Sequence, residues 1–328
     1  MSDTRLNWGA ACSAIDQAQS VLLVTHVSPD GDAVGSMLGL ARALHEHGKK
    51  VTAVVDEGVP ERLRFLAGAD IVQSRTPAQR WDVMVALDAS DEMRLGAAGM
   101  AGMACAGLVI NLDHHPTNTA FGSVHLVDPQ AAAAAEIVYE WLVRLGWELS
   151  TAVAVALLTG LVTDTLGFRT SNVTPRTLAI AQRLMEAGAP LHELMVRTLV
   201  SKPYSAIELW KQVFGTIQFS GGIISGVVSQ EALKSAGLRD VTDGGLIGLL
   251  ASVEEAHIAA VFKELADGRV ELSLRCKPAF DVSRVALELG GGGHAQAAGA
   301  TLDGPLAEAQ ARVLPRLQAC LNGGSPSG

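Results

Sequence analysis

The sequence predicts an α/β protein of two domains: a larger one built on a parallel sheet, then a smaller α/β one. Three observations carry the prediction. Four short Val-rich apolar runs recur in the first third of the chain, a helical pattern joins the first to the second, and the composition turns from helical to hairpin-like after Phe214. The length of 328 residues exceeds that of a typical single domain. Hydrophobic residues make up 48%, enough for sizeable cores, and with aromatics at only 4% the composition suits tight helix and strand packing.

The four runs are "VLLVTH" (21–26), "VTAVVD" (51–56), "VMVALD" (83–88) and "LVINLD" (108–113). Runs this continuous read as strands buried on both faces, as in a parallel sheet. Between the first two lies "GDAVGSMLGLARALHEHG", a helix by its apolar spacing and its closing Gly48. Strand, helix and strand form a βαβ unit. From 131 to about 214 the pattern is helical, in "AAAAAEIVYEWLVRLG", "TAVAVALLTGLVTDT", "TPRTLAIAQRLMEAG" and "LHELMVRTLVSKPYSAIELWKQVFG". After it, "TIQFSGGIISGVVS" reads as a hairpin turning at Gly221-Gly222, and "HIAAVFKELADGRVELSLRC" as another turning at Asp267-Gly268. The expected domains are therefore 1–190 and 216–328, with 191–215 a helical linker. The tail "NGGSPSG" reads as disordered.

Composition also limits function. The net charge is -9, with no Lys/Arg-rich run. A protein that grips long nucleic acid needs a basic track, because phosphate neutralisation carries most of that affinity. A short anionic substrate held through metal ions remains compatible. Cys12, Cys105, Cys276 and Cys320 form no CxxC pair, as expected for free thiols in a reducing compartment. The N-terminus lacks the regions of a signal peptide, and the apolar stretch 151–162 is too short to span a bilayer. The expected location is the cytoplasm, without membrane attachment.

Each of the four runs ends in His or Asp, and in open parallel sheets ligands sit beyond the carboxyl ends of the strands. His26, Asp56, Asp88 and Asp113 thus become candidates for one rim, Asp56 least so because "DEGVPE" also reads as an ordinary loop. In "THVSPDGDAVGS" the carboxylates of Asp30 and Asp32 flank a glycine and can diverge towards two positions. Taken alone, that stretch is a turn with Asp32 as helix N-cap. Asp164 lies near the end of a largely apolar helix, where a carboxylate is costly unless paired or metal-bound. With Asp113, His114 and His115, five aspartates and three histidines stand at strand or helix ends of one domain. Oxygen and imidazole donors without thiolate suit Mn²⁺ or Mg²⁺ better than structural zinc. Two divalent ions about 3.5–4 Å apart can clamp a phosphoryl group.

These residues resemble a known family. HxxPDGDxxGS at 26–36, the strand-ending Asp88, the DHH triplet at 113–115 and TGLxTDTxGFR around Asp164 together resemble the DHH phosphoesterases. "ELGGGGHAQAAGA" at 288–300 is similar to the GGGH signature of the C-terminal domain associated with them. The resemblance covers the chain from about residue 8 to about 320, with five motifs in the family's order. The resemblance implies one metal on His26, Asp30 and Asp88, and another on Asp32, Asp88, His114 and Asp164, with Asp88 bridging. His115 would face the substrate phosphate, and Asp113 would orient the histidine pair. Across a cleft between the domains, Gly291, Gly292, Gly293 and His294 would approach a phosphate or nucleotide, and Arg275 would take a terminal phosphate. Cys276 stands where most relatives carry serine.

Within that family the compact members are nano-RNases, 3'-phosphoadenosine 5'-phosphate (pAp) phosphatases and pApA hydrolases. The single-strand exonucleases are longer, the family II pyrophosphatases lack GGGH, and the cyclic-dinucleotide phosphodiesterases carry membrane segments. The expectation is a phosphoesterase with two Mn²⁺ ions, Mg²⁺ or Co²⁺ being substitutes. It would hydrolyse oligoribonucleotides of a few residues to mononucleotides, and pAp to AMP and phosphate. The alternatives are a phosphodiesterase for cyclic di-AMP or pApA, and a non-catalytic nucleotide-binding regulator. The resemblance also implies a homodimer and no long nucleic-acid partner.

Overall fold

Six strands form the N-terminal sheet: β1 (Arg5–Leu6), β2 (Ser20–Thr25), β3 (Lys50–Val54), β4 (Trp81–Leu87), β5 (Ala106–Asp113) and β6 (Val124–Val127). The computed structural model describes residues 5–323. Its strand order is β1-β6-β5-β4-β2-β3, parallel throughout except where β1 pairs antiparallel with β6. Alternate residues of the strands enter different cores. Val21 and Leu23 of β2 pack with helices α2 (Gly31–Glu46), α4 (Ala134–Arg144) and α5 (Thr151–Asp164), while Leu22 and Val24 pack on the side of α3 (Gly96–Cys105). Both faces being apolar is why these strands read as continuous runs rather than alternating ones. Each fully buried Leu or Val contributes about 1.5–3 kcal/mol relative to exposure. The helix α1 (Trp8–Gln17) closes the edge beside β6 and adds Ala11 and Ile15 to the larger core.

One helix contact positions the later chemistry. Gly31, Gly35 and Gly39 recur every four residues on α2 and lie against α5. A Cβ at Gly35 would stand 2.5 Å from the carbonyl oxygen of Ala156 and 2.8 Å from the nitrogen of Gly160. The two backbones therefore touch, which brings the start of α2 to the end of α5.

By its contacts the chain divides into one unit ending at Ser201 and a second beginning at Lys202. The stretch 191–215, read above as a linker, is shared between them. After α6 (Pro175–Glu186), α7 (Leu191–Met195) gives Leu194 to the N-terminal core, and 196–200 winds as a single π turn. Beyond Pro203, α8 (Tyr204–Val213) gives Leu209 and Val213 to a core of the second unit. Proline offers no N–H and restrains its predecessor, so the helix cannot run through.

The second unit has a mixed sheet of β7 (Gln218–Ser220), β8 (Ile223–Val228), β9 (Ile258–Glu264), β10 (Val270–Cys276), β11 (Gly292–His294) and β12 (Ala297–Leu302). Its order is β11-β12-β10-β9-β8-β7, with only β8–β9 parallel. Both expected hairpins form, with Gly221, Gly222 and Gly268 at positive φ in their turns. On one face α9 (Gln230–Ser235) and α10 (Leu246–Ala251) pack against Ala259 and Val261; on the other α11 (Ser283–Glu288) and α12 (Leu306–Gly323) pack against Ala260 and Phe262. The tail expected as disorder in fact begins inside α12, which reaches Gly323; 324–328 lie outside the described residues. Among the described residues no helix is long and apolar enough to cross a membrane.

Candidate metal centre

Strand register puts three tips at one level. Thr25 of β2 pairs with Leu87 of β4, and Leu87 with Leu112 of β5. The next residues, His26, Asp88 and Asp113, therefore stand side by side. The hydroxyl of Thr25 donates to the Leu87 carbonyl at 2.9 Å and ties two tips together. The ring of His26 turns Nδ1 to the Val27 carbonyl at 2.7 Å, which leaves Nε2 facing Asp88 Oδ2 at 3.5 Å. A histidine fixed through Nδ1 presents Nε2 as a donor to a metal.

Asp30 and Asp32 take different parts. Asp30, not Asp32, is the N-cap of α2, its Oδ1 accepting the amides of Asp32 at 2.9 Å and Ala33 at 3.0 Å. The carboxylate of Asp32 points the other way. It accepts the Ser36 hydroxyl at 3.0 Å and, at the start of α4, the amides of Ala134 at 2.5 Å and Ala135 at 3.0 Å. A Cβ on Gly160 would lie 2.7 Å from Asp32 Oδ1, so the small residue on α5 makes room for this carboxylate. Asp164 is the last residue of α5, reached through the α2–α5 contact.

His114 lies among three carboxylates. Its Nε2 is 3.4 Å from Asp88 Oδ1, 3.7 Å from Asp164 Oδ2 and 3.9 Å from Asp32 Oδ2. Donor atoms converge in three sets, each within 4.8 Å: His26, Asp30 and Asp88; Asp32, His114 and Asp164; and Asp88, His114 and His115. His115 thus comes closer to the donors than its expected place facing a substrate would require, with Nδ1 3.5 Å from Asp88 Oδ1. Its shorter contact is to Asp113 Oδ1, at 2.6 Å.

The charges are out of balance without a cation. Asp88 is 2% exposed, and its Oδ1 has no hydrogen-bond partner. An orphaned buried carboxylate oxygen costs several kcal/mol unless something positive meets it. Burial, with the nearby Asp88 and Asp164 charges, holds the Asp32 carboxyl well above its usual range. Burial also pushes Asp164 up, to about 6, against the pull of His114. For Asp88 burial acts the same way, but the imidazoles of His114 and His26, at 3.4 and 3.5 Å, outweigh it and hold the carboxyl below its usual range. Burial disfavours the charged imidazole of His114, yet Asp88 outweighs that and raises it well above the usual value. Carboxylates and imidazoles with no thiol among them are a donor set for a hard or borderline divalent cation, and the orphaned Asp88 oxygen fits one.

Asp56 does not join this rim. Its two oxygens accept the amides of Ala97 and Ala98, each at 2.7 Å, and so serve the start of α3. Three side chains that sequence reasoning passed over do join. Ser36 holds Asp32, and Asn111 and Asn118 hold the turn after Asp88 and the carboxylate of Asp113. Both asparagines lie in the "NLDHHPTN" stretch, but nothing in the local pattern assigns them partners on another strand.

In the second unit, Arg275 sits near the end of β10, its guanidinium donating to the Leu274 carbonyl at 2.9 Å, and burial lowers its pKa. Cys276 beside it donates from Sγ to the carbonyls of Phe280 at 3.2 Å and Ala295 at 3.3 Å. Burial pushes this thiol up to about 11, so it remains a neutral donor, as a serine hydroxyl would be. The glycines expected to admit a phosphate are partly needed for another reason. A Cβ at Gly291 would stand 2.0 Å from the Gly299 carbonyl oxygen, and one at Gly293 2.5 Å from that of Ala297. Strand β12 thus requires glycine at both, and of Gly291, Gly292 and Gly293 only Gly292 faces open space. His294 ends β11, and its side chain lies outside the described residues.

Residues 20–161 match the DHH family N-terminal domain, and residues 225–323 match the DHHA1 domain. The bifunctional oligoribonuclease and PAP phosphatase NrnA of Thermus thermophilus is 39% identical, over 90% of this chain and 88% of that protein. A more distant relative, the cyclic-di-AMP phosphodiesterase PdeA of Listeria monocytogenes, is 25% identical over 94% of this chain but only 49% of its own length. Among solved structures, an exopolyphosphatase-related protein from Bacteroides fragilis has the same fold, with a TM-score of 0.90, 23% identity and coverage of 96% of this chain and 97% of that one.

Proposed function

The chain belongs to the DHH family of phosphoesterases, and on that premise we propose that it hydrolyses oligoribonucleotides of a few residues to mononucleotides, and pAp to AMP and phosphate. The observation that carries the reading is the buried carboxylate of Asp88, its Oδ1 without a hydrogen bond, set between His26 on one side and His114 on the other. Its Oδ2 faces the set with His26 and Asp30, and its Oδ1 faces His114. Asp88 would therefore bridge two ions, the second also held by Asp32, His114 and Asp164. The imidazole donors favour Mn²⁺ over Mg²⁺.

Bound there, the ions would neutralise the phosphate and lower the pKa of water. The chain's own groups do the rest. His115, its ring fixed by the buried Asp113, would face the phosphate as a hydrogen-bond donor. Arg275 suits a terminal phosphate through its planar fork, with Gly292 leaving room for a phosphate to approach the backbone. Without a basic track, the protein favours small anions over long strands.

The test is a product time course on pAp, pApA and a five-nucleotide RNA, with manganese and with chelator. Manganese-dependent release of phosphate from pAp and of mononucleotides from the RNA supports the reading. Turnover of cyclic di-AMP or pApA alone would move the protein to the other phosphodiesterase class, and no turnover of any substrate would make it a binding protein.

A further inference from the structure

Two asparagines outside the expected ligand set meet at one atom. Asn111 and Asn118 each donate from Nδ2 to the carbonyl of Ala89, both at 3.2 Å. Ala89 directly follows Asp88, whose φ is +56°. That left-handed backbone costs a residue with a Cβ about 1–2 kcal/mol, so it persists only where its surroundings hold it. The amide of Asp88 is held by the Leu112 carbonyl at 2.8 Å, and the two asparagines hold the turn from the other side.

Asn118 reaches further. Its Nδ2 also donates to Asp113 Oδ2 at 2.6 Å, and its Oδ1 accepts the amide of Ala120 at 2.6 Å. An amide nitrogen carries two hydrogens, and here one serves the Asp88 turn and the other the carboxylate that fixes His115. A single side chain thus spans two strand tips.

We propose that Asn118 is a positioning residue which, with Asn111, locks the left-handed turn at Asp88 and sets the Asp113–His115 pair at a fixed spacing from it. The turn decides how Asp88 divides its two oxygens between His26 and His114. The inference rests on the bridging role given to Asp88 above. Partners of this kind, one bond removed from a metal, commonly alter affinity about 10–100-fold.

The experiment is a manganese titration by calorimetry with low-temperature electron paramagnetic resonance, on the full chain, on Asn118→Ala and on Thr119→Ala. Thr119 lies in the same turn, and its hydroxyl donates to the Ser90 carbonyl at 3.3 Å, not to Ala89 or Asp113. The unsubstituted protein should bind two ions with an exchange-coupled spectrum. Asn118→Ala should weaken both ions at least about tenfold and alter the coupling, while Thr119→Ala changes neither. Should Asn118→Ala fail to fold by circular dichroism, Asn118→Ser, too short to reach Asp113, takes its place with the same expectation. A folded Asn118 variant with the original affinities and spectrum overturns the proposal. An unsubstituted protein that binds fewer than two ions overturns the bridging reading, and the proposal with it.

Discussion

His115 holds its Nδ1 2.6 Å from Oδ1 of Asp113, a carboxylate with no exposed surface. His114, one residue earlier, instead turns Nε2 towards Asp88, Asp164 and Asp32. The two histidines should therefore fail differently. His114→Ala should weaken manganese binding and regain part of its turnover with added metal. His115→Ala should keep its metal and lose about 10²–10⁴ in kcat, with no recovery. Because Asp88 Oδ1 lies 3.5 Å from His115, metal loss in His115→Ala equal to that in His114→Ala would make His115 a ligand instead.

Burial raises Asp164 to about 6 in the metal-free protein, above the usual carboxylate value. The folded chain then binds more protons than the unfolded one between about pH 4 and 6. Stability of the metal-free protein from this group should accordingly fall as pH rises through that window. Metal competes with the same proton, so manganese affinity should rise over it. Urea unfolding with chelator and manganese titration at pH 5 and 7 measure the two slopes. Affinity independent of pH would remove Asp164 from the ligand set.

Gly35→Ala tests the helix contact that brings Asp32 to Asp164. On an exposed helix the change would stabilise by roughly 0.5–1 kcal/mol. Here the new Cβ would stand 2.5 Å from a backbone oxygen, where overpacking typically costs about 1–3 kcal/mol. A lower melting temperature and weaker manganese binding are expected together. A melting temperature equal to or above that of the unsubstituted protein would show that α2 and α5 have room to part.

Much of this was legible in the sequence where the signal is local. The strands ending at Thr25, Leu87 and Asp113 are buried on both faces, as is the end of the edge strand β3, and continuous apolar runs are their signature. The two-residue β1 and four-residue β6 are too short to show a period. The local pattern makes Asp32 the N-cap of α2, and only α4, arriving from about a hundred residues away, decides that Asp32 holds Ala134 and Ala135 while Asp30 caps α2. Asn118 has the same obscurity, since Ala89, the partner that ties it to Asp88, lies on a neighbouring strand tip. Gly291 and Gly293 read as room for a ligand because the strand that crowds them comes later in the chain.

Charge sets the expected substrate length. At net -9 and without a basic run, extra phosphates add repulsion without adding contacts. Catalytic efficiency should fall steeply between a dinucleotide and a twenty-nucleotide RNA. Arg275→Ala should raise KM on short substrates more than it lowers kcat. Equal efficiency on the long RNA would point to a processive exonuclease.

Asp88 stands between two proposed metal sites, one beside His26 and one beside His114. Calorimetric manganese titration of Asp88→Ala beside the unsubstituted protein tests this bridging role most directly. Two binding events are expected in the unsubstituted protein, with the loss of both in the variant and turnover reduced to near zero. A variant that keeps two normal binding events and most of its activity would contradict it.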